Sequence, residues 1–93
     1  MREKDVERQL IRAVKEMGGI CPKWVSPGLD GVPDRIVLLP GCQIGFVELK
    51  APGKKMRPLQ KKRKSKLEAL GFLVFCIDDK EQIEEVLREI QRS

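Results

Sequence analysis

The chain has 93 residues, carries a net charge of +5 at neutral pH, and contains neither histidine nor tyrosine. This composition excludes nucleases that depend on a catalytic histidine, Ser-His-Asp hydrolases and recombinases that form a tyrosine-linked intermediate. Asp, Glu and Lys remain as catalytic groups, and the positive charge favours a polyanionic partner.

The length predicts one domain, residues 1–93, whose modest core would gain from association into a dimer. Neither a signal peptide nor a membrane span is expected, because charged residues interrupt the N-terminus and the longest apolar runs have strand length. The three cysteines show no Cys-x-x-Cys spacing and are interpreted as buried free thiols. We therefore expect a soluble, cytoplasmic protein.

The first third of the chain reads as a helix followed by an irregular region. Apolar residues recur at helical spacing from about Glu3 to Met17, and Gly18-Gly19 ends that pattern. Residues 20–25 are compatible with a short strand, and residues 26–32, which are rich in Pro and Gly, predict a loop.

The rest of the chain alternates between strand and helix. Arg35–Leu39 and Ile44–Lys50 predict a hairpin around Pro40-Gly41. After a loop at residues 51–58, the pattern predicts, in order, a helix over residues 59–70, a buried strand over residues 72–77 and a final helix capped by Asp78-Asp79. The element order αβββαβα predicts an α/β fold with a mixed sheet flanked by helices.

Two short motifs concentrate groups that could hold a metal ion. Asp34 follows Gly31-Val32-Pro33, and Glu48-Leu49-Lys50 lies on the second strand of the predicted hairpin. Because strand side chains alternate, Glu48 and Lys50 share a face. Carboxylates are hard ligands for Mg²⁺ or Mn²⁺, and a neighbouring lysine can orient or help to deprotonate a water molecule. The pattern therefore indicates phosphodiester chemistry.

The ordinary structural explanation of the same residues is a turn capped by Asp34 and an exposed ion pair between Glu48 and Lys50. An exposed pair contributes only a fraction of about 1 kcal/mol, which gives little reason to place both charges in an apolar strand. The catalytic interpretation is therefore preferred.

Two further polar residues lie on helix faces that point toward the core. Glu7 falls at the edge of the apolar face of the first helix, and Gln60 shares a face with Leu67 in the helix after the motif. Pairing of Glu7 with Lys4 or Arg8, and capping of a backbone group by Gln60, are the alternatives. Arg63 projects into an apolar stripe, and the sequence assigns it no role.

Cationic residues cluster directly after the motif strand and could contact a nucleic-acid backbone on either side of a cut. The predicted DNA contacts are Lys54, Lys55, Arg57, Lys61, Lys62 and Lys64. A solvated basic helix face is the alternative for several of them. One Trp and three Phe offer little surface for stacking on single strands, which favours duplex or branched DNA.

The element order, the Gly31–Asp34 and Glu48–Lys50 motifs and Gln60 together resemble the PD-(D/E)XK nuclease superfamily, and most closely its VRR-NUC (virus-type replication-repair nuclease) family. The resemblance covers essentially the whole chain. It implies a restriction-endonuclease-like core, αβββαβ, with an extra C-terminal helix.

For the site, the resemblance implies that Asp34 and Glu48 bind Mg²⁺ or Mn²⁺, that the Leu49 carbonyl oxygen is a further ligand and that Lys50 is the catalytic lysine. It also implies that Glu7 approaches the metal, directly or through water, and that Gln60 acts near the metal-bound water or the phosphate. Resemblance to Holliday junction resolvases implies a homodimeric endonuclease of DNA repair that cuts four-way junctions, in a bacterial or phage-infected cell. A restriction-type or less selective nuclease and a catalytically silent DNA-binding module are the alternatives.

Overall fold

The computed structural model describes residues 2–93, in which helices cover both faces of a three-stranded sheet. The elements are α1 (Glu3–Glu16), β1 (Arg35–Leu39), β2 (Gln43–Leu49), α2 (Pro58–Ala69), β3 (Leu73–Ile77) and α3 (Ile83–Arg92). A short 3₁₀ turn, Lys80–Gln82, precedes α3, and the Asp79 carboxylate caps it by accepting a hydrogen bond from the Glu81 N–H. No helix among the described residues is long and apolar enough to cross a membrane.

The sheet is mixed, with β2 in the centre. It pairs antiparallel with β1 across the predicted hairpin and parallel with β3, which returns through α2. The predicted α/β class is confirmed, and the bounds of α1, α2 and these strands agree with the expected ones to within two residues. The final helix begins at Ile83, later than the expected cap at Asp78-Asp79, because the 3₁₀ turn lies between them.

The expected strand over residues 20–25 is wrong, because this segment makes only two isolated bridges to β1. Ile20 pairs with Leu38, and Lys23 pairs with Arg35. Between them, the Pro22 carbonyl accepts a hydrogen bond from the Ile36 N–H at 2.9 Å. Proline has no N–H to return that bond, so the ladder is interrupted and the sheet keeps its three strands.

The main core lies between the sheet and the pair α1 and α3. Alternate side chains of the strands meet the apolar stripes of both helices there. Gly45 permits close packing of α3 on β2, since a Cβ atom at this position would lie 2.5 Å from the Ile90 Cδ1 atom. The fully or almost fully buried members of this cluster include Val6, Leu10, Val14, Val37, Val47, Leu49, Ile77 and Ile90.

The opposite face of the sheet has a smaller apolar cluster under α2. Phe46, Leu67 and Val74 are buried in it, with the half-buried Trp24 packed against them. The Trp24 and Phe46 rings lie 4.9 Å apart between centroids. Because this cluster is small, part of the same face is left for polar side chains.

Candidate active site

The strand register brings Asp34, Glu48 and Cys76 into one row across the sheet. Arg35 pairs with Val47, so the preceding residue, Asp34, lies opposite Glu48, and Glu48 pairs on its other side with Cys76. Side chains alternate along β2, which puts Glu48 on the face of Phe46, under α2. Two motifs 14 positions apart in the sequence therefore meet because of a hairpin register.

Asp34 is held by backbone contacts on both sides. Its Oδ2 atom accepts a hydrogen bond from the Leu49 N–H at 2.8 Å, and its carbonyl oxygen accepts one from the Trp24 N–H at 2.9 Å. The first bond fixes the carboxylate beside the backbone of Leu49, the residue whose carbonyl was expected to join the site. Asp34 is thus oriented before any ligand binds.

Glu48 is the most deeply buried charged side chain described, with 2% of its surface exposed. Its Oε2 atom accepts a hydrogen bond from Gln60 Nε2 at 2.6 Å and lies 3.4 Å from Lys50 Nζ. Its Oε1 atom is buried and has no partner. An unpartnered buried carboxylate oxygen costs free energy, so its retention indicates a ligand.

Burial raises the pKa of Glu48 from its ordinary value of 4.5 to about 7. The negative charge of Asp34 acts in the same direction, and the Lys50 ammonium group opposes both. Two facing carboxylates repel each other in a site of low polarity. A cation between them would relieve that repulsion and return Glu48 to its ionised form.

The donor set fits a hard divalent cation. Asp34 and Glu48 lie opposite each other and offer carboxylate oxygens, and Glu48 Oε1 has no hydrogen-bond partner that would compete with a cation. Residues 2–93 contain no cluster of three or more His, Cys, Asp or Glu side chains that could enclose a metal ion. Such an open, two-carboxylate arrangement suits Mg²⁺ or Mn²⁺, because Mg²⁺ retains several water ligands and is often completed by substrate phosphate oxygens.

Gln60 points toward the sheet, as its place on the helix predicted. Only 7% of its surface is exposed, and its amide bridges two elements. Nε2 donates to Glu48, while Oε1 accepts a hydrogen bond from the Arg57 N–H at 2.9 Å at the start of α2. Gln60 therefore fixes the Glu48 carboxylate with Oε1 of that carboxylate left open.

Glu7 is not brought to the two carboxylates. Its Oε2 atom accepts a hydrogen bond from Arg35 Nε at 3.0 Å, and Arg35 also donates from Nη1 to the Cys21 carbonyl oxygen at 2.9 Å. Arg35 shares the face of Val47, which α1 covers, whereas Glu48 lies on the other face. The predicted metal role of Glu7 stays a prediction that this geometry does not favour.

Glu3 is a residue that sequence reasoning missed. It lies in the first turn of α1, one turn before Glu7, and its charge contributes to the raised pKa of Glu48. The i and i+4 spacing to Glu7 was the available signal, since both carboxylates lie on the same side of α1.

The predicted DNA-contacting cations lie on the loop after β2 and on α2. Lys54, Lys55, Arg57, Lys61 and Lys62 are exposed. Lys64 differs, because its Nζ atom lies 2.9 Å from Glu68 Oε2. Arg63, for which the sequence gave no role, donates from Nε to the Asp30 carbonyl oxygen at 3.0 Å and so ties α2 to the loop before Asp34.

The cysteines are free thiols in three different environments, so the expectation that all are buried is wrong. Cys21 is buried, which raises its pKa to about 11, whereas Cys42 is exposed on the hairpin turn. Cys42 occupies a turn position with φ of 63°, and turn residues at a hairpin tip face solvent. Cys76 is half-buried beside Glu48.

Comparison with known proteins agrees with this arrangement. No protein-family model matches the chain. The chain is 47% identical over 81 residues to a protein of Acyrthosiphon pisum secondary endosymbiont phage 1 named "Putative nuclease p44", with 87% of each chain covered. A solved structure described as a VRR_NUC domain superimposes with a TM-score of 0.86 and 28% identity, covering 92% of this chain and 94% of that one. The chain belongs to the VRR-NUC family of nucleases.

Proposed function

We propose that this protein is a metal-dependent, structure-selective DNA endonuclease that hydrolyses phosphodiester bonds and acts as a homodimer on four-way junctions. The observation that carries the proposal is the buried Oε1 atom of Glu48, which has no hydrogen-bond partner and belongs to a residue that lies opposite Asp34. Membership of the VRR-NUC family supports the nuclease activity.

Asp34 and Glu48, with the Leu49 carbonyl oxygen, would hold Mg²⁺ or Mn²⁺. The bound cation supplies Lewis acidity and positive charge at the scissile phosphate. Gln60 keeps the Glu48 carboxylate in place through its 2.6 Å hydrogen bond. Lys50, whose side chain is 14% exposed, is close enough to solvent to orient a water molecule by donating a hydrogen bond to it.

The exposed cations after β2 support a DNA substrate. Lys54, Lys55 and Arg57 precede α2, and Lys61 and Lys62 lie in its first turns, directly after the buried Gln60 in the sequence. Removing both Lys61 and Lys62 by substitution with alanine should weaken binding to all DNA forms alike. The slope of log K against log salt concentration should fall by about two, which fluorescence anisotropy at several salt concentrations measures.

The homodimer is proposed because paired cuts across a twofold junction need two sites related by the same symmetry. One copy, residues 1–93, is proposed as a single nuclease domain that supplies one cut. The phage origin of the named relative supports a bacterial or phage-infected cytoplasm as its location.

The deciding experiment incubates the purified protein with labelled four-way junction, splayed-arm and linear duplex DNA in Mg²⁺, Mn²⁺ or EDTA. Asp34→Ala is the catalytic control, and analytical ultracentrifugation determines the number of copies. Metal-dependent paired nicks on the junction that are lost in Asp34→Ala are the expected result.

Other outcomes lead to different conclusions. Comparable cutting of every substrate would replace junction selectivity by a restriction-type or less selective activity. Tight binding without cleavage under either metal would identify a catalytically silent DNA-binding module. A monomer that makes single nicks would contradict the proposed homodimer.

A further inference from the structure

The loop before Asp34 exposes apolar side chains to solvent, outside both apolar clusters of the fold. Val25 has 77% of its surface exposed and Leu29 has 38%, and Pro27 and Gly28 between them are also exposed. Leu59, at the start of α2, is 46% exposed. We call Val25, Leu29 and Leu59 the apolar edge.

This loop is held firmly although its tip faces solvent. The Leu29 N–H donates to the Ser26 carbonyl oxygen at 3.2 Å, and Arg63 Nε donates to that of Asp30 at 3.0 Å. Gly31 has a φ of 77° and packs on α2 so closely that a Cβ atom would lie 2.8 Å from the Leu59 carbonyl oxygen. The backbone of this loop is therefore fixed while its apolar side chains remain exposed to solvent.

The segments that carry the apolar edge also carry residues of the candidate active site. Its loop leads directly into Asp34, whose carbonyl oxygen accepts a hydrogen bond from the Trp24 N–H. On the other side, Leu59 precedes Gln60, which binds Glu48. A molecule lying across the two carboxylates would meet this edge.

The charges around the edge favour DNA over a second copy of the chain as the molecule it contacts. Lys23 lies near Val25 in the sequence, and Lys61 and Lys62 follow Leu59, all three exposed, whereas the loop itself offers one acidic residue, Asp30. A twofold contact through this surface would bring like charges together, which is unfavourable. Phosphates would neutralise the same cations.

Apolar side chains can reach the faces of bases only where base stacking is broken, as at a branch, a flap or a kinked step. We propose that the apolar edge contacts unstacked bases at a DNA branch point and thereby directs a nearby phosphate to Asp34 and Glu48. This inference rests on the proposed nuclease function and names the feature of the substrate that the site recognises.

The test compares the double variant Val25→Ser/Leu29→Ser with Ile20→Ser. Ile20 is also an exposed aliphatic residue, at 63%, but it pairs with Leu38 near the far end of β1. One readout is the ratio of kcat/KM on a four-way junction to that on a linear duplex. The other is the fluorescence of 2-aminopurine at the branch, which rises on unstacking, measured with each variant in the Asp34→Ala background to prevent cutting.

We expect the double variant to lose about tenfold of the junction-to-duplex ratio and most of the 2-aminopurine increase, while Ile20→Ser keeps both. Thermal melting confirms that each variant is folded. Equal behaviour of the two variants in an active enzyme would overturn the inference and leave the nuclease proposal intact. A change from dimer to monomer in the double variant would also overturn it, by assigning the edge to a second copy. Failure of the unmodified protein to cut any DNA would overturn both proposals.

Discussion

The two faces of the sheet differ in packing and in polarity. On the face of α1 and α3, aliphatic side chains such as Leu10 and Ile90 fill a continuous core. On the face of α2, a small cluster around Phe46 adjoins a buried carboxylate with an unpartnered oxygen. The aliphatic core on the first face therefore supplies stability that offsets the free-energy cost of burying Glu48 on the second face.

The largest effect should follow from removing the negative charge on the α2 face. Glu48→Gln keeps the size of the side chain and an oxygen for Gln60, but it removes a proposed metal ligand. We expect kcat on junction DNA to fall by about a thousandfold or more, with a cooperative unfolding transition retained. Single-turnover cleavage with saturating enzyme measures the loss.

A matched control for that variant is Glu68→Gln, which removes an exposed carboxylate of α2 that pairs with Lys64. It should keep cleavage within about twofold. Comparable cleavage by Glu48→Gln and by the unmodified protein would contradict the assignment of Glu48.

The opposite face should respond in stability. Ile90→Ala removes a fully buried side chain that packs against Gly45, and the cavity should lower the free energy of unfolding by about 2–5 kcal/mol. Urea unfolding followed by circular dichroism measures this. At low temperature, where the variant is folded, its cleavage rate should stay within a few-fold of the unmodified protein.

Leu70→Ala is the control for Ile90→Ala, because Leu70 is 60% exposed at the end of α2. It should change stability by less than about 0.5 kcal/mol. Loss of activity in folded Ile90→Ala protein would show that the two faces are not independent.

Stability should also depend on pH through Glu48. The pKa of Glu48 is about 7 in the folded protein and 4.5 ordinarily, so the folded state binds the proton more tightly. This contribution is favourable below about pH 4.5 and is lost as the pH rises to about 7, which lowers the free energy of unfolding by about 3 kcal/mol. Urea titrations without metal at several pH values between 4.5 and 8 measure the change.

Glu48→Gln tests this contribution, because the variant lacks the carboxyl group whose pKa is raised. The decrease between pH 4.5 and 7 should be smaller in the variant, and Mg²⁺ at pH 8 should stabilise the unmodified protein more than the variant. Parallel pH profiles of the two proteins would contradict the raised pKa of Glu48.

Much of the fold could be predicted from the sequence, because helical periodicity gives α1 and α3, apolar runs give the three strands, and Gly71 marks the end of α2. The meeting of Asp34 and Glu48 could be predicted as well, since a hairpin with a short turn fixes which residues lie opposite each other. The inward direction of Gln60 followed from its helical spacing to Leu67.

What the sequence could not give depends on contacts between distant segments. Residues 20–25 form only two isolated bridges because Pro22 lacks an N–H, a signal that the sequence contains but that the aliphatic neighbours of Pro22 outweighed. Glu7 binds Arg35 because α1 crosses the other face of the sheet, which a helical projection does not contain. The bond from Arg63 to the Asp30 carbonyl depends on how a loop settles on α2.

The smallest effect should come from the densest group of ion pairs, on the solvent side of α3. Arg88 contacts Glu84 and Glu85 there, but it is 53% exposed, so water and salt screen these attractions. We expect Arg88→Ala to change the free energy of unfolding by less than about 0.5 kcal/mol at 0.15 M salt, measured by urea unfolding. A loss above about 1.5 kcal/mol would mean that these surface ion pairs stabilise the fold.

The pair of Lys50 with Glu48 differs in kind, because Glu48 is removed from water and has no other cation within ion-pair distance among the described residues. Burial therefore decides which of these charges matter, and the number of ion pairs does not.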